Sequence, residues 1–312
     1  MKVLVTGGCG FIGSHLCDFL VKNKMEVVIL DDLSTGSLSN LATFDELTLI
    51  NANILDESAR KEALQGVGIV FHLAAKTSVV ESIKDPETTH EINLRGTWLI
   101  AEDAIKAGVK RMVFASSAAI YGDQRQSVLD EYLVPNPLSP YGASKAASEN
   151  CLCALASCSQ MDAVSLRFFN VYGPRQQPWS PYAGVIPKFV LRLLKGQPPI
   201  IRGDGEQTRD FVYVADIVRA LTSVAGRKDR FSGETYNVGS GKATSVNTLV
   251  KTLSNLIGVD KDPLYEEGCQ GEVRHSLADI SCLMLKVGVM PKTKLEDGLK
   301  DTIAWIATNQ GL

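Results

Sequence analysis

The chain has 312 residues, 45% of them hydrophobic and 21% charged, too apolar for a disordered polypeptide and long enough for two domains or one large α/β unit with an appended lobe. Its net charge is −3, from 32 Lys and Arg against 35 Asp and Glu, which leaves no basic excess for a nucleic-acid backbone, and no apolar run reaches the roughly 18 residues of a membrane span. The seven cysteines are an odd set without a CxxC pair, which reads as free thiols in a reducing cytoplasm, with no disulfide framework and no metal site.

Short β-branched runs alternate with helical segments along the first half. Residues 2–6 (KVLVT) form a strand. Gly7, Gly8 and Gly10 then interrupt the apolar run, so the N-terminus is a first strand and not a signal peptide. Residues 14–24 carry Leu16, Phe19, Leu20 and Val21 at helical spacing. Residues 26–30 and 47–50 are the next strands. Residues 68–75 and 111–115 are nearly all apolar, as strands covered on both faces of a parallel sheet are. A long helix is predicted over 87–107, a second over 141–157, and a further strand over 163–169. This β-α-β alternation predicts a doubly wound parallel sheet. Beyond Asn170 four prolines fall within fourteen residues, so the chain loops before a helix resumes near Pro187. The expected division is a Rossmann domain over 1–169, with a segment near 212–238 returning to it, and a smaller C-terminal lobe over 170–312 that binds substrate.

Two constellations carry chemistry. The first is TGGCGFIG, with Gly7, Gly10 and Gly13 between the first strand and first helix. Glycines let the backbone approach a pyrophosphate, which sits on the helix N-terminus. Asp31 ends the second strand, where a carboxylate accepts ribose hydroxyls and repels a 2′-phosphate, so NAD is expected over NADP. The second is YGASK. Tyr141 and Lys145 stand four apart and share a helix face. A lysine ammonium beside the phenol is expected to lower its pKa and make a general acid/base. Ser117, after the strand over 111–115, could share the substrate hydroxyl.

With these, HLAA (His72–Ala75), Asn93, SSAAIYG and RFFNVYGPR resemble the extended short-chain dehydrogenase/reductase superfamily, and within it the NAD-dependent nucleotide-sugar epimerases of the UDP-glucose/UDP-galactose 4-epimerase type. The resemblance runs from Met1 to about Trp305. It implies a Ser117–Tyr141–Lys145 catalytic triad and NAD held by Gly7, Gly10, Phe11, Ile12, Asp31, Asn53, Ile54, Ala74, Asn93, Tyr141 and Lys145. Asn53 departs from the Asp of many relatives but can make the same adenine contact. The resemblance also implies a homodimer, with helices 87–107 and 141–157 pairing into a four-helix bundle.

Relatives that eliminate water place Asp-Glu after the strand hydroxyl, and decarboxylases place Glu at the second of these positions. Here Ala118 and Ala119 stand there and cannot move protons. A bare 4-epimerisation through a 4-keto sugar remains, with a uronate epimerase or a 4-keto-sugar reductase as alternatives. For a UDP-sugar substrate the resemblance assigns Asn170 to the diphosphate, Val185 and Ile186 to the uracil, and Arg209 to phosphate. A second family arginine is replaced by Cys269, and Arg274 is expected to substitute. Ser276 aligns with a pocket wall, where a small side chain leaves room for a 2-acetamido group. Trp179 could offset that room, and Arg175 is the candidate cation for a uronate.

Overall fold

The computed structural model describes residues 1–42, 44–178, 183–268 and 273–310. Trp179 and Cys269 lie outside these residues.

In chain order the first half reads β1 (Lys2–Thr6), α1 (Phe11–Lys22), β2 (Glu26–Asp31), β3 (Leu47–Asn51), α2 (Glu57–Ala63), β4 (Ile69–His72), α3 (Val79–Lys84), α4 (Pro86–His90), α5 (Gly96–Lys106), β5 (Arg111–Ser117), β6 (Val128–Leu129), α6 (Pro140–Ser157) and β7 (Asp162–Phe168). The remainder is β8 (Asn170–Tyr172), α7 (Val185–Leu194), β9 (Ile200–Arg202), β10 (Thr208–Tyr213), α8 (Val214–Ala225), β11 (Ser232–Val238), β12 (Ala243–Ser245), α9 (Val246–Ile257), β13 (Leu264–Glu266), β14 (His275–Ala278) and α10 (Leu295–Gln310).

Seven strands form one sheet in the order β11-β7-β5-β4-β1-β2-β3, and every pairing in it is parallel. Alternation along each strand feeds two cores. Val3 and Val5 of β1 pack with Leu16 and Leu20 of α1 and Leu221 of α8. Leu4 turns to the other face, with Ile100 of α5 and Leu152 of α6. Each such side chain contributes about 1.5–3 kcal/mol on full burial. The doubly wound sheet follows from this two-sided burial. A second sheet, ordered β12-β10-β14-β6 with β8 joined to β10, carries its own apolar cluster from α7, α9 and α10.

The helix expected over 87–107 is broken. Between α4 and α5 the backbone widens into a π turn over Glu91–Arg95. The Asn93 carbonyl there accepts from Thr97 Oγ1 at 2.5 Å and Ser148 Oγ at 3.0 Å, and side-chain hydroxyls of this kind compete with the helical ladder. The helix expected over 141–157 starts one residue earlier. Ser139 caps it by accepting from Gly142 N at 3.1 Å, and Pro140 fills the first turn.

Candidate active site

Chain order reverses between β1 and β4, with β2 and β3 on one side and β5, β7 and β11 on the other. A cleft of about 570 Å³ opens there, lined by residues at the carboxyl ends of these strands, where open α/β sheets take ligands.

At one end of it Gly7, Gly10, Phe11, Ile12, Asp31, Asn53, Ile54 and Ala74 all line the wall. Gly7 has φ +70°, and a Cβ there would lie 2.8 Å from Ala74 N. A Cβ on Gly13 would lie 2.1 Å from Gly7 O, so only glycine lets α1 start this close to β1. The first-turn N–H groups of α1 have no intrahelical carbonyl and stand at the cleft. Asp31 is held by Cys9 N at 2.9 Å and Leu33 N at 2.8 Å. Burial raises its carboxyl above the usual range, and those two bonds oppose the rise. A carboxylate has about four acceptor positions, so capacity remains for a ribose. These features fit a dinucleotide. Asn53 is more committed than expected, because its amide donates to Asp32 at 2.8 Å and accepts from Leu55 N at 2.9 Å. Arg60 fixes Ile54 by donating to its carbonyl at 2.9 Å.

Asn93 does not line the cleft. It is 1% exposed, bonded to the Lys76 backbone at 2.7 and 2.9 Å and to Ser144 Oγ at 3.1 Å. The π turn aims it at the loop after β4, so it shapes the wall from behind.

Ser117, Tyr141 and Lys145 meet at the cleft's other end. Burial raises the Tyr141 phenol, and its hydrogen bond with Ser117 pulls it down. On balance the phenol stands above its ordinary value, where the sequence predicted that it would be lowered. Lys145 Nζ donates to Ala115 O at 2.7 Å and lies 4.6 Å from the Phe114 ring centroid. Burial drops Lys145 to about 7, against an opposing push from Glu149. The ammonium has three donors, and two remain for a cofactor hydroxyl. Ser117 also caps the short turn over Ala118–Ile120, accepting from Ala119 N at 3.1 Å.

The substrate residues divide. Asn170, Val185 and Ile186 line the cleft. Arg209, Arg274 and Ser276 are not among its lining residues. Arg209 Nη1 donates to Thr208 O at 2.9 Å. Both Nη atoms of Arg274, expected to meet a phosphate, pair with the Asp204 carboxylate at 2.7 and 2.8 Å on an exposed surface. Ser276 is buried on β14, opposite Arg209 of β10. Arg175 lines the cleft but is tied to Asp18 at 2.6 Å. Sequence reasoning missed Asp32, Lys76, Glu81 and Gln177 in the wall. Asp32 was within reach, since it adjoins Asp31; Lys76 and Gln177 sit on loops without periodicity, and Glu81 on α3, six residues long and too short to show one.

A UDP-glucose 4-epimerase of Thermotoga maritima, solved with UDP-glucose, superposes with a TM-score of 0.95 at 39% identity, covering 99% of this chain and 100% of that one. A UDP-N-acetylglucosamine 4-epimerase of Methanobrevibacter ruminantium, solved with UDP-N-acetylmuramic acid, gives 0.94 at 38% identity, covering 99% and 98%. A UDP-glucose 4-epimerase of Mycolicibacterium smegmatis is 36% identical over 313 residues, 97% of each chain. The model of the NAD dependent epimerase/dehydratase family matches residues 3–239, from β1 past the last strand of the large sheet. The chain therefore belongs to the NAD-dependent epimerase/dehydratase family, and it is an enzyme that uses NAD.

Proposed function

We propose that the protein interconverts UDP-sugars epimeric at C4, UDP-glucose with UDP-galactose and also their N-acetyl counterparts. The observation that carries this reading is the single cleft that joins the glycine cradle and Asp31 to Ser117, Tyr141 and Lys145, followed by Ala118 and Ala119 with no carboxylate for elimination or decarboxylation. In this account Gly7, Gly10, Phe11, Ile12 and Asp31 would hold NAD, which would supply a reversible hydride acceptor for C4. Ser117 orients the sugar 4-hydroxyl. Tyr141 takes its proton and later returns one to the O4 oxygen of the 4-keto sugar, turned in the cleft so that its opposite face meets the cofactor. Lys145 binds the cofactor ribose and lends positive charge to the phenolate as it forms. Asn170, Val185 and Ile186 hold the nucleotide end while the 4-keto sugar turns over.

The N-acetyl range rests on the UDP-N-acetylglucosamine 4-epimerase among the similar structures. A uronate would require a cation at C6, and Arg175 is committed to Asp18. We further propose a homodimer through α4, α5 and α6, which pack side by side, with Trp98 of α5 41% exposed. Incubation with UDP-glucose, UDP-galactose, UDP-GlcNAc, UDP-GalNAc and UDP-glucuronate, with the products resolved, tests the reading. Conversion of the first four without added reductant is expected. Stoichiometric use of NADH or NADPH would refute it in favour of a reductase.

A further inference from the structure

The face of α6 that carries Tyr141 and Lys145 continues one turn further to Glu149. Residues four apart stack on a helix, and each of the three meets a different residue at the end of β5. The Tyr141 phenol hydrogen-bonds Ser117. Lys145 Nζ donates to Ala115 O at 2.7 Å. Ser116 Oγ donates to Glu149 Oε1 at 2.5 Å. Arg167 of β7 is the register neighbour of Ser116, and it grips the same carboxylate through Nε at 3.0 and 3.2 Å and Nη2 at 2.7 Å. Four of these residues are buried: Ser116 and Lys145 are 3% exposed, Glu149 and Arg167 5%. A buried ion pair gains little net stability, since desolvation offsets most of its attraction. Its place directly behind the Tyr-Lys pair calls for another role.

We propose that Glu149, braced by Ser116 and Arg167, is a positioning residue for the Tyr141–Lys145 pair: it locks α6 onto β5 and supplies the counter-charge that keeps Lys145 protonated. This rests on the reading of Tyr141 and Lys145 as the catalytic pair. The other groups facing Lys145 do not supply that charge. His72 of β4 is pushed down to about 3 by burial and by Lys145 itself, so it stays neutral at working pH. Tyr141, on the same helix, is neutral until it gives up its proton. Arg167 reaches Lys145 only through Glu149 and carries the wrong sign. Without Glu149, burial acts on Lys145 unopposed, and the ammonium is lost at lower pH.

Glu149→Gln keeps the hydrogen-bonding shape and removes the charge. The alkaline limb of the kcat/KM profile is expected to move about one pH unit lower. The Lys145 side-chain resonance, followed by NMR in lysine-labelled protein, should titrate lower by the same amount with NAD content unchanged. Glu149→Asp keeps the charge and should return both toward wild type. An unmoved limb and an unmoved Lys145 titration overturn the proposal. Where Glu149→Gln fails to fold because Arg167 is left unpaired, Ser116→Ala decides. A kcat lower by about tenfold with KM unchanged supports the strut; a kcat equal to wild type, or kcat and KM moving together, overturns it. Wild-type protein inert on every UDP-sugar would instead refute the catalytic reading, and the Lys145 titration would still report on Glu149.

Discussion

The cleft of the large sheet and the arm formed by β10 and β14 were both expected to supply site residues, and they behave differently. In the cleft, Gly7, Gly10, Asp31, Ser117, Tyr141 and Lys145 all line the wall, from one end to the other. On the arm, Arg209, Arg274 and Ser276 stay off that wall, and Arg274 is taken up by Asp204. Backbone geometry dictates the first region. A turn at φ +70° against Ala74 N accepts only glycine, and a four-residue spacing on α6 fixes which side chains stack. The second region sits on strands of a few residues whose reach depends on loops far along the chain.

Tyr141→Phe strikes the cleft side hardest. The ring still packs, only the proton-transfer group is lost, and NAD should remain bound. Turnover should fall by at least about 10²–10⁴-fold, read by single-turnover conversion of UDP-glucose alongside cofactor content. Near-normal turnover would dissolve the distinction between the two regions.

Ser276→Tyr tests whether the arm reaches the sugar at all. An added ring in a tight site costs about 1–3 kcal/mol, roughly tenfold to two-hundredfold in selectivity. UDP-GlcNAc and UDP-GalNAc should lose kcat/KM by that factor while the plain hexoses change little. Equal loss for both classes would make Ser276 a packing residue of β14, as its burial allows.

Arg274→Ala should do least. Its guanidinium is exposed and paired with Asp204, and surface pairs contribute little. The KM for the UDP-sugar should change by less than about twofold. A tenfold rise would mean that Arg274 leaves Asp204 for a phosphate and belongs with the cleft.

The same contrast explains what could be read from the residues alone. The parallel sheet was legible because β4 and the first part of β5 are near-continuous apolar runs, as two-sided burial requires. Asp31 was legible because it ends β2 at a fixed remove from the glycine turn. The π turn at Glu91–Arg95 was hidden, since its cause is a pair of hydroxyls, one of them Ser148 on another helix. The bonds between Asn93 and the Lys76 backbone are announced by no spacing. Strands as short as β6, β8 and β9 carry too few residues to show a period. Glu149 stood in plain view four residues after Lys145, but its pairing with Arg167 needed the β5–β7 register.

Where the C4 hydrogen goes is the most direct test of the whole account. UDP-glucose converted to UDP-galactose in deuterated water, with the product examined by NMR and mass spectrometry, should show protium retained at C4. A hydride held by bound NAD does not exchange with solvent, whereas the hydroxyl proton handled by Tyr141 does and is lost again on work-up. Deuterium at C4 in the product would contradict the account, because it would mean that carbon loses a proton to solvent and not a hydride to the cofactor.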